Sequence, residues 1–210
     1  MGSAVTDGSG MSASSLTNTT GTTQGFPSSA SSAVTGSGGM GTASTSTSSS
    51  MSTTGGVVVP EAPYCEPTED WDPAWAELEQ EILEIVNQVR AEGATCGGQS
   101  MPPVGPLMMD PELQCAARMH SLDMAERDFF DHDNPDGDGP NDRMRAAGYM
   151  GRGWGENIAG GSRTAEGTMD QWMNSAGHCR NIMSGDYTLI GVGYYPGGEF
   201  GHLWTQTFGG

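Results

Sequence analysis

The chain changes composition abruptly near residue 60, and that break decides where a fold can exist. The first 60 residues are almost entirely Ser, Thr, Gly and Ala, with one charge (Asp7), one aromatic (Phe26) and no cysteine. Such a stretch cannot bury enough apolar surface to offset the entropy of ordering it, so residues 1–60 are read as a disordered tail. As a flexible coil it would span about 40–45 Å root-mean-square, enough for a stalk that holds a domain clear of a wall or membrane. A passive tail is the other reading. The N-terminus shows no charged segment followed by an apolar run, so no signal peptide is visible. Gly2 and Thr6 match a myristoylation pattern, which so repetitive a tract produces by chance.

The remaining residues, roughly 150, suit one domain around one core. Their longest apolar runs fall far short of the ~20 residues a membrane-spanning helix needs. The net charge is −18, and all eight basic residues are Arg. A surface of that sign repels phosphate backbones and anionic headgroups, which excludes nucleic acid and acidic membranes as partners but not cations. Ten acidic residues face a single Arg between Glu61 and Glu92, and 61–75 reads as an acidic linker, a solvated approach to the first helix.

Periodicity supplies the elements. Trp75, Leu78, Ile82, Ile85, Val86 and Val89 recur at helical spacing before Gly93, predicting a helix over 73–92, with Glu77, Glu79 and Glu81 near its N-terminal end where the helix dipole favours them. A Pro/Gly-rich connection carrying Cys96 leads to a second helix from Pro111 to about Arg127. Leu113, Ala117, His120 and Met124 share one face of it, so His120 reads as a core residue able to bond a carbonyl of the following loop. A third helix runs from Thr164, a good N-cap, to Ser175, burying Met169, Trp172 and Met173, with Gly177 as its stop and a short helical turn after it. Thr188–Tyr195 and Phe200–Phe208 are strand-like, joined at Pro196-Gly197-Gly198. Trp204, Gln206 and Phe208 share one strand face with His202, which reads as a strand-surface residue.

Four cysteines, Cys65, Cys96, Cys115 and Cys179, give an even count at wide spacing without a CxxC pair, which favours two disulfides over structural zinc. Residue order alone permits three connectivities. The string FFDHDNPDGDGPNDR is turn chemistry. Counted from Asp131 it puts Pro135 at position five and Asp142 at position twelve, so the EF-hand pattern fails. A short strand or strand end at Gly155, Glu156 and Asn157 would place Glu156 at a surface cleft.

Five strings in fixed order, FFDH ending at His132, GEN at 155–157, WMNS running into GHCRNIM from Gly177, GVGYY from Gly191 and LWTQTFGG at the C-terminus, resemble the CAP superfamily, the SCP-like extracellular domains. The resemblance covers roughly 76–209 and is closest to the bacterial branch, so 76–210 is expected to be the CAP/SCP domain. It implies a three-layer α/β/α sandwich, a secreted or surface-tethered protein whose signal has been removed or whose start is misassigned, and Cys96–Cys179 with Cys65–Cys115. In chain-entropy models the longer of these loops contributes about 4–5 kcal/mol. It also implies that Arg143 anchors the loop before it by pairing with its carboxylates.

The family lines a central cleft with two His and two acids, and three of those positions map onto His132, Glu156 and His178. The fourth, three residues after the helix Trp, is Ser175 here, which puts any two-carboxylate mechanism in doubt. Two imidazoles and a carboxylate can hold Zn2+ or another divalent cation with room for water. Without metal, His beside Glu forms an acid/base pair. The leading expectation is an extracellular binding or interaction module, monomeric, with a protein, cell-wall or lipid ligand. The alternative is a metal-assisted hydrolase of peptide or cell-wall substrates that uses Glu156 to activate water.

Overall fold

The computed structural model describes residues 53–54, 57–152 and 154–210. The stalk reading of the tail falls on residues that lie outside these, except at its end, where β1 (Thr53–Thr54) and β2 (Val57–Val58) pair antiparallel. A 3₁₀ helix, Pro63–Thr68, comes next, and α1 spans Pro73–Glu92. Strands β3 (Ala94–Cys96) and β4 (Gln99–Met101) form a hairpin, and β5 (Met108–Met109) leads into α2 (Pro111–Glu126). The rest of the order is α3 (Pro140–Ala146), β6 (Trp154–Gly160), α4 (Ala165–Asn174), α5 (Ala176–Ile182), β7 (Leu189–Pro196) and β8 (His202–Gly209).

Four strands make the central sheet in the order β5-β7-β8-β6, with β5 parallel to β7 and the other pairs antiparallel. Strand alternation divides β7 between two layers. Ile190, Val192 and Tyr194 pack with Ile82 and Val86 of α1 and Trp172 of α4 in one apolar cluster. Gly191 and Gly193 turn to the other face, where α2 lies directly on the strand: a Cβ built on Gly191 would stand 2.1 Å from Leu113 C, and one on Gly193 2.3 Å from Ala117 C. Only glycine permits that approach. Polar bonds then seat the helix, from Ser121 Oγ to Gly193 O (3.0 Å) and from Thr207 Oγ1 to Leu113 O (2.9 Å). Helices on both sheet faces make the α/β/α sandwich expected from the resemblance.

In the acidic approach Glu61, Glu66, Glu69, Asp70 and Asp72 are exposed, as a solvated approach requires, and the segment is also pinned to the fold. Cys65 is fully buried and bonded to Cys115 of α2, with a Cα separation of 5.8 Å. Glu79, favoured near the helix N-terminus by the dipole, is also fully buried. Its oxygens accept from Trp71 Nε1 (2.8 Å), Gln114 Nε2 (3.0 Å), Arg118 Nε (3.0 and 3.2 Å) and Tyr194 N (3.1 Å). Burial pushes the Glu79 carboxyl up from its ordinary value, opposed first by the Arg118 guanidinium. This carboxylate ties α1 to α2 and β7, and burial this complete demands such partners.

The helix after Thr164 ends at Ser175, whose extended backbone (φ −94°, ψ 121°) breaks it, and Gly177 is not the stop but the second residue of α5. Two clamps fix α5. Cys179 is bonded to Cys96 at a Cα separation of 5.4 Å. Buried Arg90 donates to Ile182 O (2.7 Å), Ser184 O (2.8 Å), Tyr187 O (3.2 Å) and Gly105 O (2.7 Å), satisfying carbonyls at the end of α5.

Candidate functional site

The site forms at the outer edge of β6, where α3, α5 and the loop after α2 meet. Glu156 stands mid-strand opposite Thr207, and its side chain is 1% exposed rather than at the surface. Arg143 of α3 reaches it with Nη2, 3.0 Å from Oε1 and 2.8 Å from Oε2, while Nη1 donates to Asp138 O at 2.8 Å. Arg143 thus anchors the acidic loop through a main-chain carbonyl and pairs with Glu156, not with the loop carboxylates. His132 Nδ1 lies 2.8 Å from Glu156 Oε1. An ionised carboxylate can only accept, so His132 carries its proton on Nδ1 and turns Nε2 away from the acid.

His120 is the core residue expected from its helix face: its Nε2 donates to Asp131 O at 3.0 Å, holding the loop one residue before His132. His202, at the rim of the sheet, is half-buried and meets the Tyr194 hydroxyl through Nδ1 at 2.7 Å, away from Glu156. The acidic loop behaves as turn chemistry, with Asn134 Oδ1 accepting from Asp136 N (3.0 Å) and Asp138 N (2.8 Å).

Asparagines stitch α5 to the strand. Asn181 Nδ2 donates to Glu156 O (3.3 Å) and Asn157 Oδ1 (2.8 Å), and Asn157 Nδ2 donates to His178 O (3.3 Å) and Gln206 Oε1 (3.0 Å). These bonds join the GEN and GHCRN strings in space. His178 lines a cleft of about 280 Å3 along β6, with Ser175 and Gln171 as further polar groups and Phe130, Trp172 and Phe200 as apolar walls. Ser175, standing where many relatives of the resemblance have an acid, is therefore part of the cleft.

Electrostatics separates the groups. Burial pushes the Glu156 carboxyl upward, but the His132 bond and the Arg143 guanidinium outweigh it and hold the group below its ordinary value. The same bond raises His132. Burial lowers His178, and the positive charge of nearby His132 lowers it further. Burial brings His120 down to about 4, so it is neutral near pH 7.

Of the three sequence-nominated residues, His132 and Glu156 meet by a hydrogen bond, and His178 is near enough to His132 to feel its charge. Glu156 spends both oxygens on Arg143 and one also on His132, and among the described residues no three His, Cys, Asp or Glu side chains form a metal-holding group. Glu156 stands behind His132 as the carboxylate that orients its ring. The resemblance points to Arg143 as a loop anchor, but its pairing with Glu156 escapes sequence reasoning because α3 hides in a turn-rich string; Pro140 at a first-turn position is the available signal.

Among the described residues no helix is long and apolar enough to cross a membrane. The chain is 38% identical over 130 residues to the uncharacterized protein YkwD of Bacillus subtilis, covering 62% of this chain and 46% of that one. It is 28% identical over 125 residues to the uncharacterized membrane protein YlbC of the same organism, covering 60% and 34%. It thus spans less than half the length of either curated relative. Among solved structures it is similar to an extracellular protein containing a SCP domain from Bacillus anthracis, at TM-score 0.56 and 27% identity, covering 64% of this chain and 40% of that one. A fold likeness extends to an outer surface protein of Borrelia burgdorferi, at TM-score 0.51 and 19% identity, covering 64% and 90%. The family model for the cysteine-rich secretory proteins matches residues 83–208, and the chain belongs to that family, the CAP family.

Proposed function

We propose that this CAP domain is an extracellular binding module, secreted or surface-tethered, whose ligand enters the cleft beside β6 and whose His132 and His178 rings can hold a divalent cation. The observation that carries the reading is the saturation of Glu156. A general base must be free to take a proton, and this carboxylate is buried, paired with Arg143 through both oxygens and held below its ordinary pKa. Its role is to fix the His132 ring with Nε2 toward solvent, which supports binding over metal-assisted hydrolysis. A bound cation would supply a Lewis-acidic docking point for a ligand oxygen. Two disulfides, stable in an oxidising compartment, and the extracellular Bacillus anthracis relative support the location.

The test is calorimetric titration with Zn2+ beside a turnover assay on peptide and peptidoglycan panels. Saturable heat from the wild type, weakened at least about tenfold by His178→Ala through loss of one of two ligands, is expected without turnover. No heat from the wild type would remove the cation site. Turnover that vanishes in folded Glu156→Gln would replace the module with the hydrolase.

A further inference from the structure

β6 is an edge strand of the sheet, and the hydrogen-bond pattern fixes which of its main-chain groups face outward. In an antiparallel pair, alternate residues bond across the ladder and those between them turn N–H and C=O the other way. The bond from Gly161 N to His202 O, 2.8 Å, sets the parity: Asn157 and Ala159 face β8, while Glu156, Ile158 and Gly160 face away. Two side chains already meet outward carbonyls in agreement with that parity. Trp172 Nε1 donates to Ile158 O at 3.1 Å, and Asn181 Nδ2 to Glu156 O at 3.3 Å. Among the described residues, the N–H of Ile158 and both main-chain groups of Gly160 meet no partner along the cleft, and these two residues line it.

Over the same stretch stand two exposed aromatic rings. Phe130 and Phe200 are 39% and 45% exposed, and their centroids are 4.9 Å apart. Gly160 makes room for them: a Cβ there would stand 3.1 Å from Phe200 Cβ.

We infer that the cleft takes a short extended peptide, laid along β6 as an added strand, with carbonyl oxygens on the Ile158 and Gly160 N–H groups and an apolar side chain against Phe130 and Phe200. This deepens the binding-module reading and rests on it. Two N–H groups two residues apart on a strand are about 7 Å apart, the repeat of alternate carbonyls in an extended chain and too wide for one carboxylate or phosphate. Side chains of such a peptide also alternate, so one meets the phenylalanine pair and its neighbour the polar end at Ser175 and His178. The capped carbonyls of Glu156 and Ile158 limit the pairing to two or three main-chain bonds, which selects a short segment over a full strand of a second copy. A chain of net charge −18 selects a neutral or basic peptide.

The experiment is amide NMR on the full 15N-labelled chain, titrated with blocked tripeptides Ala-X-Ala in which X is Leu, Phe or Val, with blocked Gly-Gly-Gly as control. The Ile158 and Gly160 amide protons should move downfield and saturate with an apolar X, stay still with the control, and need about tenfold more peptide in Phe200→Ala, which removes one aromatic contact. If Zn2+ shifts the His178 ring but no peptide moves those amides, the peptide assignment falls and the cleft reading stands. If neither ligand moves anything, both fall. The same shifts appearing without peptide, in step with dimerisation on sedimentation, would give the edge to a second copy and overturn the inference.

Discussion

Gly193→Val is expected to destabilise this domain by more than about 4 kcal/mol. The new Cβ would lie 2.3 Å from Ala117 C and Arg118 N and 2.5 Å from Ala117 O, all main-chain atoms of α2 that no rotamer change can move. Relief requires lifting α2 off β7, and that breaks the Ser121–Gly193 bond, the Ser121–Thr205 hydroxyl contact at 2.9 Å and the Thr207–Leu113 bond together. Overpacking alone costs about 1–3 kcal/mol, and with the lost bonds the total exceeds about 4 kcal/mol. That is a large share of a typical domain's stability, roughly 5–15 kcal/mol. Gly177→Ala is the control: nothing lies within 4 Å of its Cβ, and in α5 it should be neutral or gain up to about 1 kcal/mol. Urea denaturation with the disulfides intact measures both, and an unchanged midpoint for Gly193→Val would refute the backbone contact.

Arg143→Met should cost about 3–5 kcal/mol at pH 7, because it leaves the buried Glu156 charge without its guanidinium. His132, half-exposed, cannot replace it alone. The loss reaches beyond the pair: Arg143 also holds Asp138 O, so the loop from His132 to α3 is released, and hydrogen exchange there should rise with the drop in stability. Adding Glu156→Leu removes the stranded charge and should recover much of the loss. A cost below about 1 kcal/mol for Arg143→Met would mean that Glu156 is solvated or protonated, contrary to its burial.

The long helices were legible because their signals are local. Apolar spacing and caps place α1, α2 and α4 within a residue of where they fold, and Thr164 Oγ1 does accept from Gly167 N at 3.1 Å. What failed was non-local. Glu79 reads only as a dipole-favoured acid, and its partner Arg118 lies 39 residues away. Gly191 and Gly193 look like weak strand residues until α2 lies on them. Gly177 reads as a helix stop, yet the break is made by Ser175. At the site, motif strings nominate His132, Glu156 and His178, and the first two meet by a hydrogen bond. Glu156 is nevertheless buried, because which strand face points toward α3 depends on the β6–β8 register, and no local pattern encodes that.

The central claim is that Glu156 is a fixed anion that orients His132 through Nδ1, leaving Nε2 turned from the acid. Its pH signature has two signs. Glu156, held low, stabilises the fold above its unfolded pKa and loses that contribution as pH falls through the folded value. His132, held high, stabilises the fold below its unfolded pKa and loses that contribution as pH rises through the folded value. The most direct measurement is two-bond 1H–15N correlation NMR of the metal-free chain, alkaline of the His132 pKa. The account predicts the neutral His132 ring with its proton on Nδ1; a ring protonated on Nε2 would contradict it.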